Sequence, residues 1–349
     1  MKTRLLIALA VAALSAPFPA LADTLIDNVA GLQVDASGQL QRFNGLLVGD
    51  DGKVVQLLRA GDPRPRRVDF RVDQRGLAML PGLIDAHGHV GDFGIGTLQL
   101  DLSGTRSIAE LQQRLAAFAA SNSAPRWIIG RGWNQELWAE KRFPTTADVD
   151  AIVADRPVWL VRVDEHAAVG NSAALREAGY SAATRLPPGS RAEHGLFFDQ
   201  ARDLIEAKIP PPLPAQRDQG LANAQRALLG FGLTSVTDMR TTAADWDAIR
   251  RMGDAGRLQV RMISYAADLE TLLAVAGSRP TPWLYGDRLR MIGLKIYADG
   301  ALGSRGAWLK TPYSDKPGTR GLQFLDDAKL RNLASRAAMD HFQVAVHAI

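Results

Sequence analysis

The chain has 349 residues, no cysteine, a formal charge of +4 at pH 7 and 46% apolar residues. The lack of cysteine excludes thiolate metal sites, cysteine nucleophiles and disulfides, so any metal must be held by nitrogen and oxygen. The length suits one large domain or two smaller ones, and the weak charge speaks against a nucleic-acid surface.

The first residues set the compartment. Lys2 and Arg4 precede a mostly apolar run from Leu5 to Phe18, and Ala20-Leu21-Ala22 offers a small-x-small cleavage site. This is the layout of a secretory signal peptide over residues 1–22. A secreted, periplasmic protein beginning at Asp23 is expected, the alternative being an uncleaved anchor. Ser15 and Pro17 interrupt the apolar run, which falls short of the roughly 20 residues that a stable membrane span needs.

Residues 23–78 read as short strands and turns. Asp50-Asp51-Gly52, between Gly45–Gly49 and Lys53–Leu58, predicts a hairpin. Arg64-Pro65-Arg66-Arg67 is the tight basic cluster, and it reads as a solvated loop. The apolar run Leu80–Ile84 then reads as a buried strand that ends at His87-Gly88-His89. Side chains two apart share a face of a strand, so both imidazoles can grip one metal ion. The plain alternative is a polar strand end with surface histidines.

Ile108–Ala119 has helical spacing. Residues 121–214 read as an insertion over one end of a sheet, with strands at Arg126–Gly130 and Pro157–Val163, and it closes on Pro210-Pro211-Pro212-Leu213-Pro214. Trp133 and Trp138 fall in its first strand region, where packing is the commoner role. His166 either lines a pocket or fixes its own loop through Asn171 or Ser172. His194 and His341 read as surface or structural residues. Helices and strands then alternate: Ala215–Leu229, Leu233–Met239, Ala243–Met252, Leu258–Tyr265, Leu269–Ala276, Arg290–Tyr297, Ala328–Phe342 and Gln343–Ile349. Such alternation predicts βαβ units and a parallel sheet. Counting the His87 strand as the first, the chain reaches five strands, against the eight of a complete (β/α)₈ barrel. The expectation is an N-terminal part of a longer protein.

Lys295 lies inside the apolar strand Gly293–Tyr297, where a charged amine is unfavourable. It is either paired with Asp299 or another carboxylate, or it is neutral and has reacted with carbon dioxide to give a carboxylate able to bridge two cations. His347 ends the strand Gln343–Ile349, as a hydrogen-bonded core histidine or as a ligand. With His87, His89 and Lys295 it makes a convergent set on three strands. Imidazole with carboxylate suits zinc, and also manganese, iron or nickel.

Pro81-Gly82-Leu83-Ile84-Asp85-Ala86-His87-Gly88-His89, Gly130–Trp133, Val163–Leu175, Leu294–Arg305 and His347-Ala348 together resemble the amidohydrolase superfamily. They are most similar to its amidohydrolase-3 branch, which includes N-substituted formamide deformylase-like proteins, over about Leu25–Ile349. The resemblance implies an α/β fold. It would be a metal-dependent hydrolase TIM barrel over 79–349, incomplete at about five strands, beside part of a small β-sandwich-like domain at 23–78. It implies His87 and His89 as first-strand metal ligands, Lys295 as a carboxylated bridge between two Zn2+ ions, and His347 as a fifth-strand ligand. Trp133 and His166 become substrate-pocket candidates. A sixth-strand histidine and an eighth-strand catalytic aspartate are expected beyond Ile349, so no catalytic residue is assigned within the chain. The implied reaction is attack of a metal-bound hydroxide on a small amide, formamide, cyclic amide or carbamate. A homo-oligomer with no nucleic-acid partner is expected. The rival expectations are a truncated, inactive remnant and a non-catalytic binding protein.

Overall fold

A computed structural model describes residues 23–123, 126–187, 190–300, 302 and 305–349. The expected leader at 1–22 lies outside the described residues, as do Ala301, Gly303 and Ser304 of the Lys295 motif. The described residues divide into two compact units, one ending at Gly82 and the other beginning at Leu83.

The first unit is one mixed sheet of β1 (Thr24–Val34), β2 (Leu40–Val48), β3 (Val54–Leu58), β4 (Phe70–Asp73) and β5 (Ala78–Met79). Its order is β3-β2-β1-β4, with β5 also paired to β1. The predicted hairpin joins β2 to β3 in antiparallel pairing. Leu25, Val29, Phe43 and Leu58 are buried in this unit. The basic cluster is only partly solvated. Arg64 is half-buried, and its guanidinium donates to Asp27 Oδ1 at 2.9 Å and to Asn44 Oδ1 at 2.6 Å. With the Arg59 and Asp62 carbonyls these make four oxygen acceptors around this side chain, while Arg66 and Arg67 are exposed.

The second unit opens with β6 (Leu83–Gly88) and α1 (Val90–Gly96), followed by β7 (Leu100–Asp101), α2 (Ile108–Ser121), β8 (Ile128–Trp133), α3 (Thr146–Asp150), β9 (Val158–Arg162) and β10 (Ala167–Gly170). Then come α4 (Ser172–Glu177), β11 (Arg191–Glu193), β12 (Leu196–Phe198), α5 (Asp203–Glu206), α6 (Pro214–Gly230), β13 (Leu233–Thr241) and α7 (Ala243–Asp254). It ends with β14 (Arg261–Ala266), α8 (Leu269–Ala276), β15 (Leu289–Tyr297), α9 (Asp327–Met339) and β16 (Gln343–His347).

Its strands form two sheets. One runs β11-β12-β10-β9-β8-β7 and carries a core on each face. The other runs β6-β13-β14-β15-β16, with every pairing parallel. Each strand of this second sheet lies beside its successor in the chain, without the reversal of a doubly wound sheet, as in a barrel wall. Val236, Met262, Met291 and Leu294 of this wall are buried with Trp246, Ile249 and Leu272 of the helices. These helices are amphipathic and well capped. Thr242 and Asp245 form a capping box on α7, and Asp268 accepts from Thr271 N on α8. Among the described residues no helix is long and apolar enough to cross a membrane.

The β6 strand departs from the buried strand expected. It stands at the edge of its sheet, with Leu83 55% and Ile84 68% exposed. Only β13 pairs with it among the described residues.

One local device gives a pH test. Arg142 forks onto Asp148 at 2.8 and 2.9 Å, and Asp148 completes the capping box of α3 with Thr145. The Arg142 hydrogen bonds, then those of Thr145, hold the Asp148 carboxyl at about 2. A depressed carboxyl stabilises the fold above its unfolded pKa, and that stability is lost as pH falls through the folded value. Between pH 5 and pH 2 the wild type should therefore lose about 2 kcal/mol more than Asp148→Asn, less what solvent screens at the half-exposed Arg142. Urea denaturation of both proteins across that range checks it.

Candidate metal centre

The site is built where β6 gives way to α1. His87 is the penultimate residue of β6, and His89 is the N-cap of α1, with φ −130° and ψ 76°. Gly88 separates them because β13 lies close: a Cβ there would stand 2.8 Å from Val236 Cγ2. The two imidazoles meet edge to face, with centroids 5.5 Å apart and planes at 70°.

Lys295 reaches them from β15. It is 5% exposed, and its Nζ lies 3.5 Å from His87 Nε2 and 5.2 Å from the centre of the Tyr297 ring. In a flat sheet, strands three places apart would be separated by about 14 Å. The contact therefore requires the β6-β13-β14-β15 wall to curl, with His87 and Lys295 on its concave side. Lys295 makes no ion pair among the described residues, so the expected alternative of a partnership with Asp299 does not hold. Asp299 instead accepts from Trp308 N at 2.9 Å and Ile349 N at 3.3 Å, tying the segment after β15 to the end of β16.

Electrostatics favour neutral donors. Burial pushes the Lys295 ammonium below its ordinary range. Burial also lowers His89, helped by the positive potential of His87, Lys295 and Arg240 and opposed by Asp92. A neutral amine and a neutral imidazole each keep a lone pair available. Among the described residues no three of His, Asp and Glu converge closely enough to hold an ion, so the set depends on Lys295 for its third donor.

His347 sits one strand further on, opposite Tyr297, with the two rings 5.7 Å apart. Its Nε2 is 3.1 Å from Gly300 O and 3.8 Å from Asp299 Oδ1. The structure thus brings His87, His89 and Lys295 together and turns the Nε2 of His347 toward the loop after β15.

The pocket candidates fare differently. Trp133 is fully buried, donates from Nε1 to Leu160 O at 2.8 Å, and packs on Trp138 and Phe143. Its expected pocket role is corrected to core packing, since it has no surface left for a ligand. His166 is half-buried in the turn between β9 and β10, and its backbone N–H donates to Asp164 Oδ1. Asn171 accepts from Val158 N and Ala174 N and donates to Val153 O and Arg156 O. The Ser172 hydroxyl donates to Asp150. His194 and His341 are exposed. A cavity of about 690 Å³ lies between the Trp127–Trp159 face of the insertion sheet and Pro210–Pro212, and none of the four metal candidates lines it.

Sequence reading missed Asp238. This carboxylate within β13 is 1% exposed and accepts from Val90 N at 2.8 Å and from the Thr241 hydroxyl. Burial pushes it up to about 6, against both hydrogen bonds. Its position as an ionisable residue within an apolar strand, as with Lys295, was the available signal.

Residues 71–349 match the amidohydrolase family. The chain is 34% identical over 308 residues to "Putative amidohydrolase YtcJ" of Bacillus subtilis (strain 168), covering 83% of this chain and 55% of that protein. It is 29% identical over 201 residues to the N-substituted formamide deformylase of Arthrobacter pascens, covering 54% and 37%. The crystal structure of an uncharacterized metal-dependent hydrolase from Pyrococcus horikoshii OT3 superposes with a TM-score of 0.72 at 26% identity, covering 94% of this chain and 65% of that one. The chain thus spans about half the length of YtcJ. Curled parallel wall, strand-end histidines, buried lysine and sequence match agree: the chain belongs to the amidohydrolase family, in its amidohydrolase-3 branch.

Proposed function

We propose that this chain carries the metal-binding half of a secreted, periplasmic hydrolase that cleaves the C–N bond of a small amide, formamide, cyclic amide or carbamate. The observation that carries the reading is the 3.5 Å approach of Lys295 Nζ to His87 Nε2 across the curled wall. The donor set fits a divalent cation, zinc being the first choice: two strand-end imidazoles and a buried lysine whose neutral form is favoured. Such an ion supplies Lewis acidity toward a carbonyl and lowers the pKa of water.

The residues divide the work. Neutral Lys295 adds carbon dioxide through Nζ, losing one proton and gaining a carboxylate that can serve two cations. His87 and His89 would hold a divalent cation from one end of β6. His347 would add a further donor if its Nε2 were released from the Gly300 carbonyl. His166, half-buried beyond β9, is the remaining pocket candidate within the chain. Exposed Val34, Val55, Phe70 and Val72 on the first unit support a second β layer there, making the small sandwich that the family resemblance implies. The names of the formamide deformylase and of the Pyrococcus metal-dependent hydrolase support the reaction class and the metal.

The test uses the natural protein that contains this chain. Hydrolysis of an N-substituted formamide should fall by about 100-fold or more on chelation and return with Zn2+. Turnover that ignores chelators would overturn the proposal.

A further inference from the structure

We propose that Asp238 is a positioning residue for the metal pair: its carboxylate caps α1 from the neighbouring strand and thereby fixes His89, and with it the spacing of His87 and His89. This rests on the reading of those two histidines as ligands.

The first turn of a helix leaves backbone N–H groups without intrahelical partners, and the N-cap side chain ordinarily supplies an acceptor. Here the N-cap is His89, and its side chain makes no capping bond. If His89 is to offer its ring to an ion, it cannot also cap the helix. Asp238 takes over that task, accepting from Val90 N at 2.8 Å in a buried contact between residues 148 apart in sequence. The amide so held is the one next to His89.

Three further features make the bond directive. Asp238 stands in register with Gly88, the residue between the two histidines. Its other oxygen accepts from the Thr241 hydroxyl, so the carboxylate cannot swing. Each of its oxygens thus takes a hydrogen bond from the protein, and the residue is 1% exposed. A second link, Arg240 to Asp92 at 3.1 Å, joins the same strand to the same helix. Outer groups that orient metal-binding histidines commonly matter 10- to 100-fold for metal affinity (about that range).

Three proteins test this: wild type, Asp238→Ala and Asp238→Asn. The asparagine keeps an oxygen acceptor for Val90 and removes the charge. Two readouts are taken on each, hydrogen exchange at the Val90 amide without metal and Zn2+ affinity by calorimetry. The expected result is that Asp238→Ala exchanges Val90 at least about 10-fold faster and binds Zn2+ about 10- to 100-fold more weakly, while Asp238→Asn restores most of both. Unchanged Val90 exchange in Asp238→Ala would overturn the capping role. Equal loss of Zn2+ affinity in both variants, with Val90 still protected in the asparagine protein, would show a charge effect and overturn positioning. If the wild type binds no Zn2+, the hydrolase reading fails, whereas the Val90 exchange still decides the cap. If Asp238→Ala does not fold, Thr241→Val replaces it, with a smaller loss of the same sign, about 3-fold, expected in both readouts.

Discussion

Lys295→Met is expected to lower Zn2+ affinity by about 100-fold or more and to abolish hydrolysis, while leaving the metal-free protein as stable as wild type or slightly more so. The two signs come from one fact. Lys295 is 5% exposed in β15 and makes no ion pair among the described residues, so its ammonium is a cost to the metal-free fold. Methionine fills similar space with a flexible apolar chain and removes that cost. It also removes the third donor of a set that otherwise consists of His87 and His89. Loss of a direct donor should exceed the 10- to 100-fold (roughly) typical of outer groups. If Nζ acts as a carbamate, bicarbonate should tighten Zn2+ binding in the wild type and do nothing for the methionine protein. Only the neutral amine adds carbon dioxide, so the bicarbonate effect should weaken as pH falls; burial shifts that window below the range of an exposed lysine. Calorimetry with and without bicarbonate at two pH values measures all of this. Zn2+ affinity equal to wild type would remove Lys295 from the centre.

Much of the candidate site could be picked out in the sequence because polar residues stand out within or at the ends of apolar strands. His87, His89, Lys295 and His347 all fall at or near strand ends in the structure. What periodicity could not convey was direction. Trp133 occupies a strand end as His87 does, yet a bulge between Arg131 and Trp133 accompanies its turn into the core. The 3.1 Å contact of His347 with Gly300 O depends on the course of the segment after β15. The same holds for the fold. The helix Leu269–Ala276 has the bounds that its spacing predicts, and the structure shows Asp268 capping its start and Gly277, at φ 65°, ending it. No expectation of helix attached to Val90-Gly91-Asp92-Phe93-Gly94-Ile95-Gly96, in which three of seven residues are glycine. Glycine is among the weakest helix formers, so that helix owes its existence to tertiary contacts that a local reading cannot see.

Those contacts make the second large prediction. Gly94 of α1 and Gly220 of α6 cross backbone to backbone: a Cβ on Gly94 would lie 2.7 Å from Gly220 O, and one on Gly220 would lie 2.8 Å from Gly94 C. Neither obstacle is a side chain that can step aside, so the helices themselves must part. Gly94→Ala and Gly220→Ala are each expected to destabilise the second unit by about 2–3 kcal/mol, against a gain of about 1 kcal/mol from helix propensity. Gly96→Ala is the control. It lies in the same helix with nothing within 4 Å of its added methyl, so it should be neutral or slightly stabilising. Because one separation of the helices relieves both clashes, the double variant should cost clearly less than the sum of the singles. Additive costs would mean that each glycine is needed for a separate reason. The crossing also bears on the metal pair, since α1 begins directly after His89 and is held at its start by Asp238 and at its middle by α6. Zn2+ affinity should therefore fall in Gly94→Ala and Gly220→Ala and stay at the wild-type level in Gly96→Ala. Loss of stability without loss of affinity would show that Asp238 alone suffices to hold the histidines.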